Sequence, residues 1–96
     1  MRRPGLAPIR RGFIEMKQLQ IAYSDRQGVT TVRRIEPQFI YLNVPVWYLL
    51  VWDDLRNDVR AFRIDRIHDV VVTDHAFRLR NREAFLRQAE QQVRLV

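Results

Sequence analysis

VWYLLVWDDLRNDVRAFRIDRI, residues 46–67, decides how this chain folds. Its opening run, Val46–Trp52, is apolar on both faces of an extended chain, which predicts the central, most buried strand of a sheet. Asp53–Asp58 follows as a charged turn. Val59–Ile64 then alternates: Arg60, Phe62 and Ile64 share one face, and Val59, Ala61 and Arg63 the other. Asp65-Arg66 breaks that alternation, predicting a single 3₁₀ turn before a last strand at Ile67–Thr73.

Upstream, Leu19, Ile21 and Tyr23 alternate with Gln18, Gln20 and Ala22, the signature of a half-buried strand. Ser24–Gly28 reads as a hairpin loop, with Gly28 free to adopt a positive φ. A second strand is expected over Val29–Glu36, stopped by Pro37, which cannot donate to a ladder. A third is expected over Gln38–Leu42, with a turn at Asn43–Pro45. Leu6, Ile9, Phe13 and Met16 fall at helical spacing, a pattern that Gly12 weakens. At the other end Phe85, Leu86, Ala89 and Val93 form a helical stripe, capped by Asn81. The expected organisation is a flexible lead (1–8), one domain (9–80) and a C-terminal helix (81–96). The expected fold is mainly β: a short helix, five or six short antiparallel strands closed into a small barrel, then a helix. Trp47, Tyr48 and Trp52, on the most apolar strand, are read as core.

Ninety-six residues, 47% of them hydrophobic and 29% charged, suit one packed domain and leave no room for a second core. No apolar run approaches the ~18 residues of a membrane span, and residues 1–12 contain no apolar signal segment, so a cytoplasmic protein is expected. With no cysteine, and only His68 and His75 as imidazoles, neither a disulfide framework nor a metal site is expected. The aspartates at 53, 54 and 58 lack the glycine and terminal glutamate of a calcium loop. Ser24 has no nucleophile elbow around it, and three glycines make no phosphate cradle. Neither an enzyme nor a cofactor is expected.

The charge is +6, and sixteen of the seventeen basic residues are arginine, Lys17 being the exception. Arginine adds a planar fork that grips phosphate and stacks on rings. The positive excess lies at the two ends of the chain and the acidic excess between them, so an anion-binding surface would be one-sided. Arg33 and Arg34 must point to opposite faces of their strand. Arg60, on the row of Phe62, is drawn toward the interior, where a guanidinium needs an acid, a backbone acceptor or an anionic ligand. Two readings stay open for Arg60, Arg63 and Arg66: a structural network with Asp58, Asp65, Asp69 or Glu36, or a ligand site completed by Tyr23.

Trp47-Tyr48-Leu49 resembles the signature tripeptide of the WYL domain. Tyr23 with Gly28 resembles that family's strand-and-turn opening, and Arg34-Ile35-Glu36-Pro37 its R-x-V-x-P element. Arg60–Ile67 is similar to its R-x-F-R-x-D-R-I stretch, and Val72-Thr73 leading to Phe77 to its exit. The resemblance spans residues 6–80. It implies an Sm-like, SH3-type barrel in a bacterial regulator, with a negatively charged ligand: single-stranded nucleic acid or a nucleotide-like anion. By motif position the binding residues would be Tyr23, Arg34, Arg60, Arg63 and Arg66. Two departures stand out. Asn43–Val46 fills the turn where the family often carries glycine, and the sixteen residues before the first strand are too few for a helix-turn-helix. DNA-operator binding by this chain alone is therefore not expected, and a separate DNA-binding domain is an implied partner. The alternative expectation is an interaction module, a homodimer built on the barrel edge or on the C-terminal stripe.

Overall fold

The computed structural model describes residues 6–80 and 82–95. Helix α1 (Leu6–Glu15) leads into β1 (Lys17–Ser24), β2 (Thr30–Asn43), β3 (Val46–Asp53) and β4 (Asp58–Arg63). A 3₁₀ turn (Ile64–Arg66) connects to β5 (Ile67–Ala76), and α2 (Arg82–Leu95) closes the chain. The α1 helix thus begins inside the stretch read as a lead. Residues 1–5 and the expected cap Asn81 lie outside the described residues. Among the described residues, no helix is long and apolar enough to cross a membrane.

All five strands pair antiparallel in one sheet, in the order β4-β3-β2-β1-β5. The hydrogen-bonded ladder has two ends, β4 and β5, so the expected closed barrel is an open sheet by its backbone pairing. It is strongly curled all the same. One core draws Leu19, Ile21 and Tyr23 from β1, Ile35 from β2, Leu49 and Val51 from β3, Phe62 from β4 and Ile67 from β5, with Ile9 of α1 plugging one end. Strands at opposite edges share one interior only if the sheet wraps around it.

Pro37 does not end a strand. It is buried inside β2, and the register with β3 slips between Pro37 and Phe39. The missing N–H falls at this irregularity, which is where a sheet tolerates proline. The two strands expected on either side are therefore one strand of 14 residues. The slip also transfers the apolar row to the other face: Ile35 lies in the interior, whereas Phe39 packs with Phe85 of α2, ring centroids 5.6 Å apart. Helix α2 covers a second core of Tyr48, Leu50, Val59 and Ala61. That cover explains why β3 is apolar on both faces, although it stands second in the sheet rather than at its centre.

Gly12 is a contact point rather than a weakness of α1. A Cβ there would lie 2.6 Å from Leu19 Cδ2, so the absence of a side chain lets the helix approach β1. The β1–β2 loop turns at Gly28 (φ +83°), as its sequence required. Trp47 departs from the expected core position: it is 52% exposed. The β2–β3 pairing runs on to Asn43↔Val46, whereas β1 leaves β2 at Ile35 and β4 leaves β3 at Tyr48. The hairpin thus projects beyond the core, carrying Ile40, Leu42 and Trp47 into solvent. Leu49→Ala should cost about 2–5 kcal/mol, whereas Trp47→Ala should stay within about 1 kcal/mol of wild type. Denaturant unfolding of both variants checks which member of the tripeptide holds the fold.

Candidate functional site

A pocket of about 240 Å³ opens where the end of β1, the β1–β2 loop, β4 and the 3₁₀ turn converge. Tyr23, Asp25, Arg26, Gln27, Arg60, Ala61 and Arg66 line it. Three of the five residues expected at a site, Tyr23, Arg60 and Arg66, therefore meet here.

Tyr23 is the wall of the pocket. It is 6% exposed, its ring lies 4.4 Å centroid to centroid from Phe62, and its hydroxyl accepts a hydrogen bond from the backbone N–H of Arg63 (3.2 Å). Alternation along β4 sends Arg60 to the same face as Phe62, and its guanidinium carbon stands 5.7 Å from that ring. Arg60 Nε is buried without a hydrogen-bond partner. Desolvation is the main cause that lowers the pKa of Arg60, followed by the nearby charge of Arg56, while Asp53 acts in the opposite sense. Arg66 ends the 3₁₀ turn and has no ion-pair partner among the described residues.

Arg63 and Arg34 lie outside the lining of the pocket. Arg63 points to the other side of β4 and forks onto Asp65, with Nε–Oδ1 3.0 Å and Nη2–Oδ2 2.7 Å. The hydrogen bond to Asp65 raises its pKa. Arg34 is exposed on β2, and its carbonyl accepts the N–H of Asp54 (3.1 Å). Of the structural network weighed from sequence, the Arg63–Asp65 pair forms. Glu36 pairs instead with Arg80 (3.0 Å) and accepts from Gln18 (3.1 Å).

Sequence reasoning missed three features. The first is Arg33, which turns inward as Arg34 turns out and pairs with the fully buried Asp53 at 3.2 Å, while its Nε donates to Thr31 Oγ1. The spacing R-x-I-x-P, counted on this chain, starts at Arg33, and that count is the signal that marks it. The second is the loop Asp25–Gln27. Asp25 Oδ1 accepts the N–H groups of Gln27 (2.8 Å) and Val29 (3.0 Å), an Asx turn that fixes one side of the pocket. The third is Arg80, which lies 3.8 Å from the centre of the Trp52 ring and donates its backbone N–H to Gln38 Oε1, tying the approach to α2 onto β2 and β3.

The Arg33–Asp53 pair is buried and lies outside the lining of the pocket, so its loss should be felt as lost stability. Asp53→Ala should cost about 3–5 kcal/mol by stranding the Arg33 charge, and the double change Arg33→Met with Asp53→Leu should recover most of it. Thermal unfolding of the single and double variants measures this.

A family model described as the WYL domain matches residues 4–72. An uncharacterized HTH-type transcriptional regulator of Bacillus subtilis (strain 168), YobV, is 29% identical over 59 residues, covering 62% of this chain and 19% of the relative. Proteasome accessory factor B/C (PafBC) of Arthrobacter aurescens superposes with a TM-score of 0.69 at 28% identity, over 74% of this chain and 11% of that one. The chain thus spans only about a fifth of the length of the curated relative and about a tenth of the solved structure.

Proposed function

The chain belongs to the WYL domain family, and from that membership and the arginine pocket we propose that it is a non-enzymatic, ligand-sensing regulatory domain for an anionic ligand, single-stranded nucleic acid or a nucleotide. The observation that carries this reading is Arg60: among the described residues its buried guanidinium Nε has no hydrogen-bond partner, it lines a cavity, and Arg66, which has no ion pair among those residues, shares that cavity. An anion entering between them would offset the Arg60 charge that desolvation penalises.

Within this proposal Arg60 and Arg66 bind the anion, and Tyr23 closes the pocket behind it. Arg34 and Arg63 are auxiliary charges on the approach. The relative named as an HTH-type transcriptional regulator suggests a separate DNA-binding domain as the partner that receives the signal, and a cytoplasmic setting. An Sm-like barrel remains the architecture proposed from the resemblance, with the common core of all five strands in its favour.

A second reading, an interaction module, draws on the exposed Ile40, Leu42 and Trp47 of the projecting hairpin. The C-terminal stripe supports it less, because Phe85 is buried against the chain's own sheet and Leu86 packs there too. The Ala89 and Val93 side chains lie outside the described residues.

Titration with labelled single-stranded and double-stranded oligonucleotides at two salt concentrations tests the proposal. The wild type should prefer single strands. Arg60→Ala and Arg66→Ala should each weaken that binding about tenfold and flatten its salt dependence by about 0.7 in log–log slope per lost phosphate contact. Equal, weak and mutation-insensitive binding of both forms would reduce the +6 charge to a solvated surface and leave the hairpin reading in front.

A further inference from the structure

Resting on the ligand-pocket reading above, we propose that the pocket takes one phosphate monoester, the terminal phosphate of a nucleotide or of a strand end, rather than threading the backbone of a strand. Three observations point there.

The first is size and lining. The cavity, about 240 Å³, lies below the ~300–1,000 Å³ of ordinary small-molecule pockets, a size that suits one phosphate group better than a run of nucleotides. Grooves that track single strands offer successive aromatic platforms to successive bases. Here Tyr23 is the one aromatic side chain in the lining, and its ring is buried against Phe62.

The second is charge matching. Arg33, Arg63 and Arg80 are each paired to an acid, whereas Arg60 and Arg66 have no ion-pair partner among the described residues. These two guanidinium groups, without an ion pair among the described residues, line one small cavity together with Arg26. A phosphate monoester carries about −1.5 to −2 at neutral pH and presents three acceptor oxygens, enough for two forks. An internal phosphodiester brings a single negative charge and fewer free oxygens.

The third is Asp25. Its carboxylate is held in the wall by two backbone N–H donors and cannot swing away without breaking the Asx turn. A fixed negative charge beside the arginines disfavours a second phosphate next to the first, as a continuing backbone would require. A mononucleotide meets no such conflict, and a strand end meets it on one side only, where an internal phosphate meets it on two.

Fluorescence anisotropy with three short single strands of one sequence provides the test: 5′-phosphorylated, 3′-phosphorylated, and hydroxyl at both ends. A terminal phosphate on one of the ends should tighten binding about tenfold at fixed salt. Arg66→Ala, which breaks no ion pair among the described residues and should leave the circular dichroism unchanged, should abolish that difference. A nucleoside monophosphate added as competitor separates the sources. Displacement of the bound strand makes the free nucleotide a sufficient ligand, and displacement only by phosphorylated strands assigns the strand end. Equal binding of all three strands overturns the inference. If Arg66→Ala still weakens all three, the ligand-pocket reading survives alone; if it weakens none, both fall.

Discussion

The contact between Tyr23 and Phe62 is the constraint on which the rest of this structure depends. These residues belong to β1 and β4, which are not neighbours in the sheet, and no backbone ladder joins them. Their rings meet at 4.4 Å between centroids, and the Tyr23 hydroxyl receives the Arg63 N–H. An open sheet can bring its edge strand to its far side only by curling, and the apolar interior supplies the drive. Arg60 is carried to the rim of that interior as a consequence, two residues before Phe62 on the same face. The pocket is therefore a by-product of closing the core with side chains where backbone pairing stops.

The same economy appears on the outer surface. The slip at Pro37 moves the apolar row of β2 from the interior to the outer face, and α2 answers by covering it with Phe85. Arg80 locks the approach to that helix, stacked on Trp52 and bonded to Glu36 and Gln38. Two cores, one inside the curl and one beneath α2, make β3 buried on both faces. A strand that is apolar throughout is thus a statement about two partners, the sheet interior and a helix, rather than about a central place in the sheet.

Arginine dominates the basic side of this chain, and the structure divides its arginines by their partners. Arg33 stabilises the interior with Asp53, Arg63 forks onto Asp65, and Arg80 joins Glu36. Once these are set aside, Arg60 and Arg66 stand together at one cavity, with Arg26 beside them. Partner assignment, more than the net charge, is what singles out a binding site on a chain of +6.

The order of elements was legible in the sequence, because periodicity is a local property: alternation for β1 and β4, an unbroken apolar run for β3, a broken period at the 3₁₀ turn. Tyr23 and Arg60 were legible as candidates from residue type and row, and Arg66 from its place beside the broken alternation and in the motif. The continuity of β2 through Pro37 was not, since a proline in a bulge and a proline ending a strand look alike in one dimension. The exposure of Trp47 was equally hidden, for it depends on where the neighbouring strands stop. Nor could spacing tell Arg63, tied to Asp65, from Arg66, which has no ion pair among the described residues. Sequence determined by itself which residues face together along each strand, because that follows from backbone geometry two residues at a time. Only the tertiary structure decided which arginine meets an acid and which meets a cavity, because pairing is settled by distances between strands that the chain brings together from far apart.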